Sequence, residues 1–115
     1  MKTHQYELID EKVFEHEFDN GLKLFIIPKP GFQKTYVTYT TQFGSLDNHF
    51  KPIGSQQFVK VPDGVAHFLE HKLFEKEDED LFTAFAEENA QANAFTSFDR
   101  TSYLFSATSN IESNI

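Results

Sequence analysis

GVAHFLEHKLF, residues 64–74, decides how this chain is read. Val65, Phe68, Leu69 and Leu73 recur at helical spacing, which predicts an α-helix from about Val65 to Glu75. Pro62-Asp63-Gly64 predicts the turn that opens it. On such a helix His67, Glu70 and His71 occupy positions i, i+3 and i+4 and project from one face. Val65, Phe68 and Leu69 lie round the other side and are expected to anchor the helix in a core.

Two imidazoles one turn apart reach a single ion at nitrogen–metal distances near ~2.0–2.1 Å. Such an ion lowers the pKa of a water it holds to roughly 7, and a carboxylate beside it serves as the general base. His-x-x-Glu-His is the inverse of the commoner His-Glu-x-x-His and supplies the same three groups. A solvated histidine–glutamate face satisfies the same spacing, so the residues alone leave both readings open.

Upstream, Val13 to Phe18 alternates and Leu22 to Ile27 is apolar, with Asp19-Asn20-Gly21 between them. An Asn-Gly pair between two such runs predicts a β-hairpin whose central turn residues have positive φ. Thr35 to Phe43, rich in β-branched and aromatic residues, predicts a third strand. Gly44 to Gly54 reads as a loop and Gln57 to Val61 as a short edge strand. Downstream, EKEDED (75–80) reads as a solvated loop, followed by a second helix from about Asp80 to Gln91. Asn93 to Ser97 and Ser102 to Thr108 predict two strands about a Phe98-Asp99-Arg100 turn. Ser109 followed by Glu112 has capping-box spacing, so the chain is expected to stop about one turn into a further helix. The expected class is α+β, an antiparallel or mixed sheet with helices packed on one face.

The totals set limits. A chain of 115 residues is at most one small domain. Its 14 phenylalanines supply too much apolar surface for a disordered chain. A formal net charge of −8 argues against nucleic acid, whose phosphates demand basic side chains, and against an anionic membrane surface. With no cysteine, any metal must be held by His, Asp or Glu. The N-terminal residues are polar, unlike a signal peptide, and no apolar run approaches a membrane span, so a cytoplasmic location is expected.

Four separated stretches carry a family resemblance: Gly64 to His71 with Phe74; Asn93-Ala94-Phe95-Thr96 continuing through Asp99 and Thr101 to Tyr103; Gly44-Ser45 with Asp47; and Asn20-Gly21-Leu22. Together they resemble the pitrilysin/insulinase family of zinc metallopeptidases, the inverzincins, in family order and over nearly the whole chain. His-Phe-Leu-Glu-His-Lys looks most like a subgroup found in Gram-positive bacteria. Glu75-Lys76 and the acidic run stand where a Gly-Thr stretch is common elsewhere in the family.

The resemblance implies that His67 and His71 bind zinc and that Glu70 is the base. It implies a third ligand, a glutamate beyond the last residue here; Glu87, Glu88, Asp99 and Glu112 do not match its position. Residues 1–115 are therefore expected to be the N-terminal portion of one peptidase domain, inactive by themselves. Asn93 and Ala94 match the edge strand on which the family pairs the backbone of a peptide substrate, although Asn93 also suits a helix end or a turn. Family members pair such domains around a chamber, so the expected partners are a peptide and the remaining half or a paired subunit. The alternative is a non-catalytic half that binds peptide for an active partner. Tyr103 and Phe105 are expected in the core, and His4, His16 and His49 at the surface or in packing.

Overall fold

The computed structural model describes residues 1–74 and 81–115. It divides into two compact units, residues 1–32 and 33–115.

The first unit is a three-stranded antiparallel sheet in the order β1-β2-β3, built from Lys2–Tyr6, Glu11–Glu17 and Lys23–Ile26. The predicted hairpin forms between β2 and β3, with Phe14 opposite Ile26 and Glu17 opposite Lys23. Its turn differs from expectation. Gly21 has φ +85°, but Asn20 is not among the positive-φ residues. The Gly21 N–H bonds the Phe18 carbonyl, and the Phe18 N–H bonds the Leu22 carbonyl, each at 2.9 Å. This is a three-residue loop with a left-handed glycine bulge, which needs positive φ at one position only. Strand β1 was not expected, because every one of its residues is exposed and no apolar alternation marks it.

The second unit contains a sheet in the order β4-β8-β7, formed by Thr35–Thr41, Thr101–Ala107 and Ala90–Thr96, all antiparallel. Residues 44–54, expected as loop, include His49–Phe50 (β5), which pairs with Val59–Lys60 (β6) as a separate two-stranded ladder. Helix α1 is Val65–Phe74, entered through Gly64 at φ +84°. The expected last residue, Glu75, and the whole 75–80 run lie outside the described residues, as does Asp80.

Helix α2 is Leu81–Glu87, four residues shorter at its C-terminal end than expected. Asn89 takes a left-handed φ of 58°, ending the helix, and Ala90-Gln91 open β7 instead. Tertiary pairing overrides local propensity here: Ala90 pairs with Ala107 and Gln91 with Ser106. The expected capping box is also absent. Asn110 is left-handed at φ 54°, and Ile111 precedes a three-residue 3-10 turn, Glu112–Asn114, with no side-chain cap.

Cross-strand pairs fix which side chains share a face. Ala92, Ala94 and Thr96 of β7 lie beside Phe105, Tyr103 and Thr101 of β8 and Val37, Tyr39 and Thr41 of β4. Both helices pack on this face: Phe74 stacks on Tyr103 and Phe85 on Phe105, with ring centroids 5.9 and 5.7 Å apart. The expected α+β class, with helices on one face of an antiparallel sheet, is what forms. Ala90, Phe105 and Ala107 make the buried core, flanked by Val37, Phe85, Ala92 and Ile111. The expectation for α1 needs correcting. Of its buried side chains the helix offers only Ala66, while Phe68, Leu69 and Leu73 are 60%, 45% and 55% exposed. No helix of the described residues is long and apolar enough to cross a membrane.

Candidate metal centre

Helix α1 carries the three residues that the spacing groups. One ligand atom from each of His67, Glu70 and His71 lies within 4.8 Å of the others. The two imidazoles are exposed and converge through their Nε2 atoms, 2.9 Å apart. Tetrahedral zinc with ~2.05 Å bonds separates two nitrogens by about 3.3 Å, so a few tenths of an ångström of side-chain rotation fits the pair to an ion. The donor set, two imidazoles and a carboxylate, suits that borderline-soft ion. The other histidines have partners of their own: His4 bonds Glu15, His16 meets Phe18 edge-on, and His49 packs on Phe58.

Glu70 is half-buried where α1 crosses the end of the β7–β8 hairpin. Its Oε2 accepts a hydrogen bond from Thr96 Oγ1 at 2.5 Å. Tyr103 lies on the same face, and burial, then the Glu70 charge, pushes its hydroxyl above the usual tyrosine range. It is therefore a neutral donor at physiological pH. Phe105 is buried as expected, and Tyr103 is partly so.

The hairpin that carries Thr96 is held by the Gly44–Asp47 loop. The Ser45 and Leu46 amides bond the carbonyls of Ser97 and Phe98 at 2.9 and 3.0 Å. Asp47 closes the loop by accepting the Gly44 N–H at 2.7 Å. Gly44 sits so close to the turn that a Cβ would come within 2.5 Å of Arg100 N, Asp99 N and Phe98 C. Asn48 continues the brace to the start of α1, giving its side-chain amide to Asp63 at 2.7 Å and its carbonyl to the Val61 N–H at 2.8 Å.

Asn93 lies in the middle of β7, neither at a helix end nor in a turn. Strand β7 is the sheet's edge. Ser97 N–H bonds the Arg100 carbonyl at 2.8 Å, and antiparallel pairs alternate between bonded and non-bonded. The Ala94–Tyr103 pair is then non-bonded, so the Ala94 amide faces away from β8. Its N–H is taken by the Asn93 side-chain oxygen at 2.8 Å. Asn93 and Ala94 therefore lie on the edge strand of the described sheet, which packs against the helix that carries the histidines. The sequence assigns Thr96 no role of its own; two-residue alternation along β7 places it on the helix side.

The profile of the family described as Insulinase (Peptidase family M16) matches residues 52–111. The chain is 54% identical to the uncharacterized zinc protease YmfH of Bacillus subtilis over 115 residues, covering all of this chain and 27% of that protein. It is 33% identical over 96 residues to mouse insulin-degrading enzyme, covering 77% of this chain and 8% of the enzyme. The structure superposes on an M16-like peptidase from Alicyclobacillus acidocaldarius with a TM-score of 0.77 at 40% identity, covering 88% of this chain and 23% of the other. The chain therefore spans about a quarter of the length of YmfH and of the solved relative. With a profile match across more than half of its residues, the chain belongs to the insulinase family of peptidases, M16.

Proposed function

We propose that this chain is the N-terminal, metal-holding portion of a longer zinc-dependent endopeptidase that hydrolyses short peptides. The observation that carries the reading is the convergence of His67, Glu70 and His71 on one turn of α1, with their ligand atoms within 4.8 Å. His67 and His71 hold the zinc, and a third ligand comes from sequence beyond residue 115. When bound, zinc acidifies a water and polarises the scissile carbonyl. Glu70 takes the proton from the attacking water and later delivers it to the leaving amine. The edge of β7 pairs with the extended substrate at Asn93 and Ala94: the outward Ala94 backbone supplies main-chain hydrogen bonds with little dependence on sequence, and the Asn93 side chain stands beside it. The zinc-protease names of the relatives support the same ion.

The test is the full-length protein, zinc-loaded, on a quenched peptide library. Cleavage is expected, and Glu70→Gln should lose at least about 100-fold in rate while keeping its zinc. A Glu70→Gln protein as active as the parent removes Glu70 from the role of base. Peptide binding with no cleavage by the parent protein favours a non-catalytic half. Residues 1–115 alone should bind zinc far more weakly than the full-length protein, since two imidazoles make an incomplete site.

A further inference from the structure

One side chain of the substrate-edge strand reaches the helix's carboxylate. Thr96 Oγ1 donates to Glu70 Oε2 over 2.5 Å, a bond between residues 26 positions apart. Hydroxyl-to-carboxylate bonds of about 2.5–2.7 Å are the short, charge-assisted kind. Thr96 has a single proton to give, and its neighbours leave that proton to Glu70. Thr101, directly opposite in the ladder and 2% exposed, spends its own proton on the Phe43 carbonyl at 2.7 Å. Toward Thr96 Oγ1, 3.4 Å away, Thr101 is again the donor, a long second arm of the same hydroxyl, so it makes no claim on the Thr96 proton.

We propose that Thr96 is a positioning residue for Glu70: its hydroxyl fixes Oε2 and leaves Oε1 as the oxygen that receives the water's proton. The assignment rests on the reading of Glu70 as general base. A glutamate side chain has three rotatable bonds, whereas a proton acceptor must stay within about 2.6–3.2 Å of its donor. Thr96 is β-branched and stiff at χ1, so it lends Glu70 the rigidity of the sheet. It also stands two residues from Ala94 on the same strand. A single element then sets both the position of the substrate backbone and the position of the base.

The experiment compares Thr96→Val, Thr96→Ser and Glu70→Gln in the full-length, zinc-loaded protein. Thr96→Val removes the hydroxyl and keeps the shape. It should lower kcat at least about tenfold, given that misplacement by 1 Å can cost about 100-fold. KM, zinc stoichiometry and Tm should stay near parental values. Thr96→Ser, which restores the hydroxyl, should recover kcat to within about threefold. In a Glu70→Gln background, Thr96→Val should cause no further loss, because the two act as one unit. A crystal structure of metal-free Thr96→Val should show the Glu70 carboxylate turned from its parental position. If Thr96→Val does not fold, Thr96→Ala takes its place in every measurement.

The proposal is overturned if Thr96→Val keeps kcat within twofold, if Thr96→Ser is as impaired as Thr96→Val, or if the loss tracks lost zinc. A carboxylate that stays in place in the Thr96→Val crystal overturns it too. Retained activity in Glu70→Gln instead defeats the underlying reading of the base, so the two failures are distinguishable.

Discussion

The two compact units use antiparallel hairpins in the same way and come to opposite ends. In residues 1–32 no side chain is fully buried, and Leu24, Phe25, Ile26 and Ile27 stay between 41% and 56% exposed. In residues 33–115 two helices cover one face of a three-stranded sheet, and Ala90, Phe105 and Ala107 fall below 7% exposure. A sheet face becomes core only when another layer covers it. The covered face is also where α1 brings its two histidines and its glutamate together, at the end of the β7–β8 hairpin. Strand pairing sets register; the helix layer groups the side chains.

That contrast can be broken most severely at the metal centre. Replacing His67 or His71 with alanine should abolish stoichiometric zinc binding in the full-length protein. The loss should exceed the roughly 10–100-fold that removal of a supporting partner causes. Calorimetric titration measures it, and parental affinity in either variant would remove that histidine from the site.

The next effect falls on the brace. Gly44→Ala forces a methyl into contact with the backbone of residues 98–100, 2.5 Å from three atoms. Overpacking against backbone should cost about 1–3 kcal/mol, read as a lower denaturant midpoint with an unchanged slope. An equivalent glycine change at Gly21, whose Cβ would meet no atom within 4 Å, carries only the strain of its positive φ. The difference between the two variants separates a packed unit from an open one.

A smaller effect is expected at the edge. Ala94→Pro deletes the outward amide where a sheet edge tolerates proline. It should weaken peptide binding by the value of one hydrogen bond, about 0.5–1.5 kcal/mol or roughly 2–10-fold in KM. An unchanged KM would mean that substrate does not use this donor.

The smallest effect belongs to the first unit. A hydrogen bond from His4 holds the Glu15 carboxyl below its ordinary value of 4.5, with burial opposing and the charges of Lys2, His4 and Lys23 assisting. A lowered folded value means that the contribution is complete above 4.5 and fades as pH falls through the lowered value. Glu15→Gln should therefore lower stability slightly above pH 4.5 and leave it unchanged at the acid end, which flattens the acid limb of the stability curve. Because the His4 side chain is 45% exposed and Glu15 is only partly covered, salt should shrink the difference.

Much of this architecture is legible in the residues, for identifiable reasons. Helix α1 announces itself through the period of Val65, Phe68, Leu69 and Leu73 and through Gly64. The β2–β3 hairpin does so through Asn20-Gly21, although the turn type depends on hydrogen bonds between Phe18 and Leu22 that spacing does not reveal. The α2–β7 boundary is hard to read because Ala86, Glu87, Glu88, Ala90 and Gln91 are all good helix formers, and pairing with β8 decides the last two. Strand β1 was missed because it buries nothing. The grouping of His67, Glu70 and His71 is readable because i, i+3, i+4 is local geometry. The Thr96–Glu70 bond joins two elements, and only the packing of α1 on β7 shows it.

Asn93 has a consequence for turnover. The outward amide of Ala94 already holds a partner in its own chain, the side-chain oxygen next door. An incoming strand must trade bond for bond at that point, so the net gain of docking there is small. On the proposed reading a cleaved product would meet the same exchange in reverse, with the asparagine ready to retake the donor, and the margin of the sheet would act as a resealable seam.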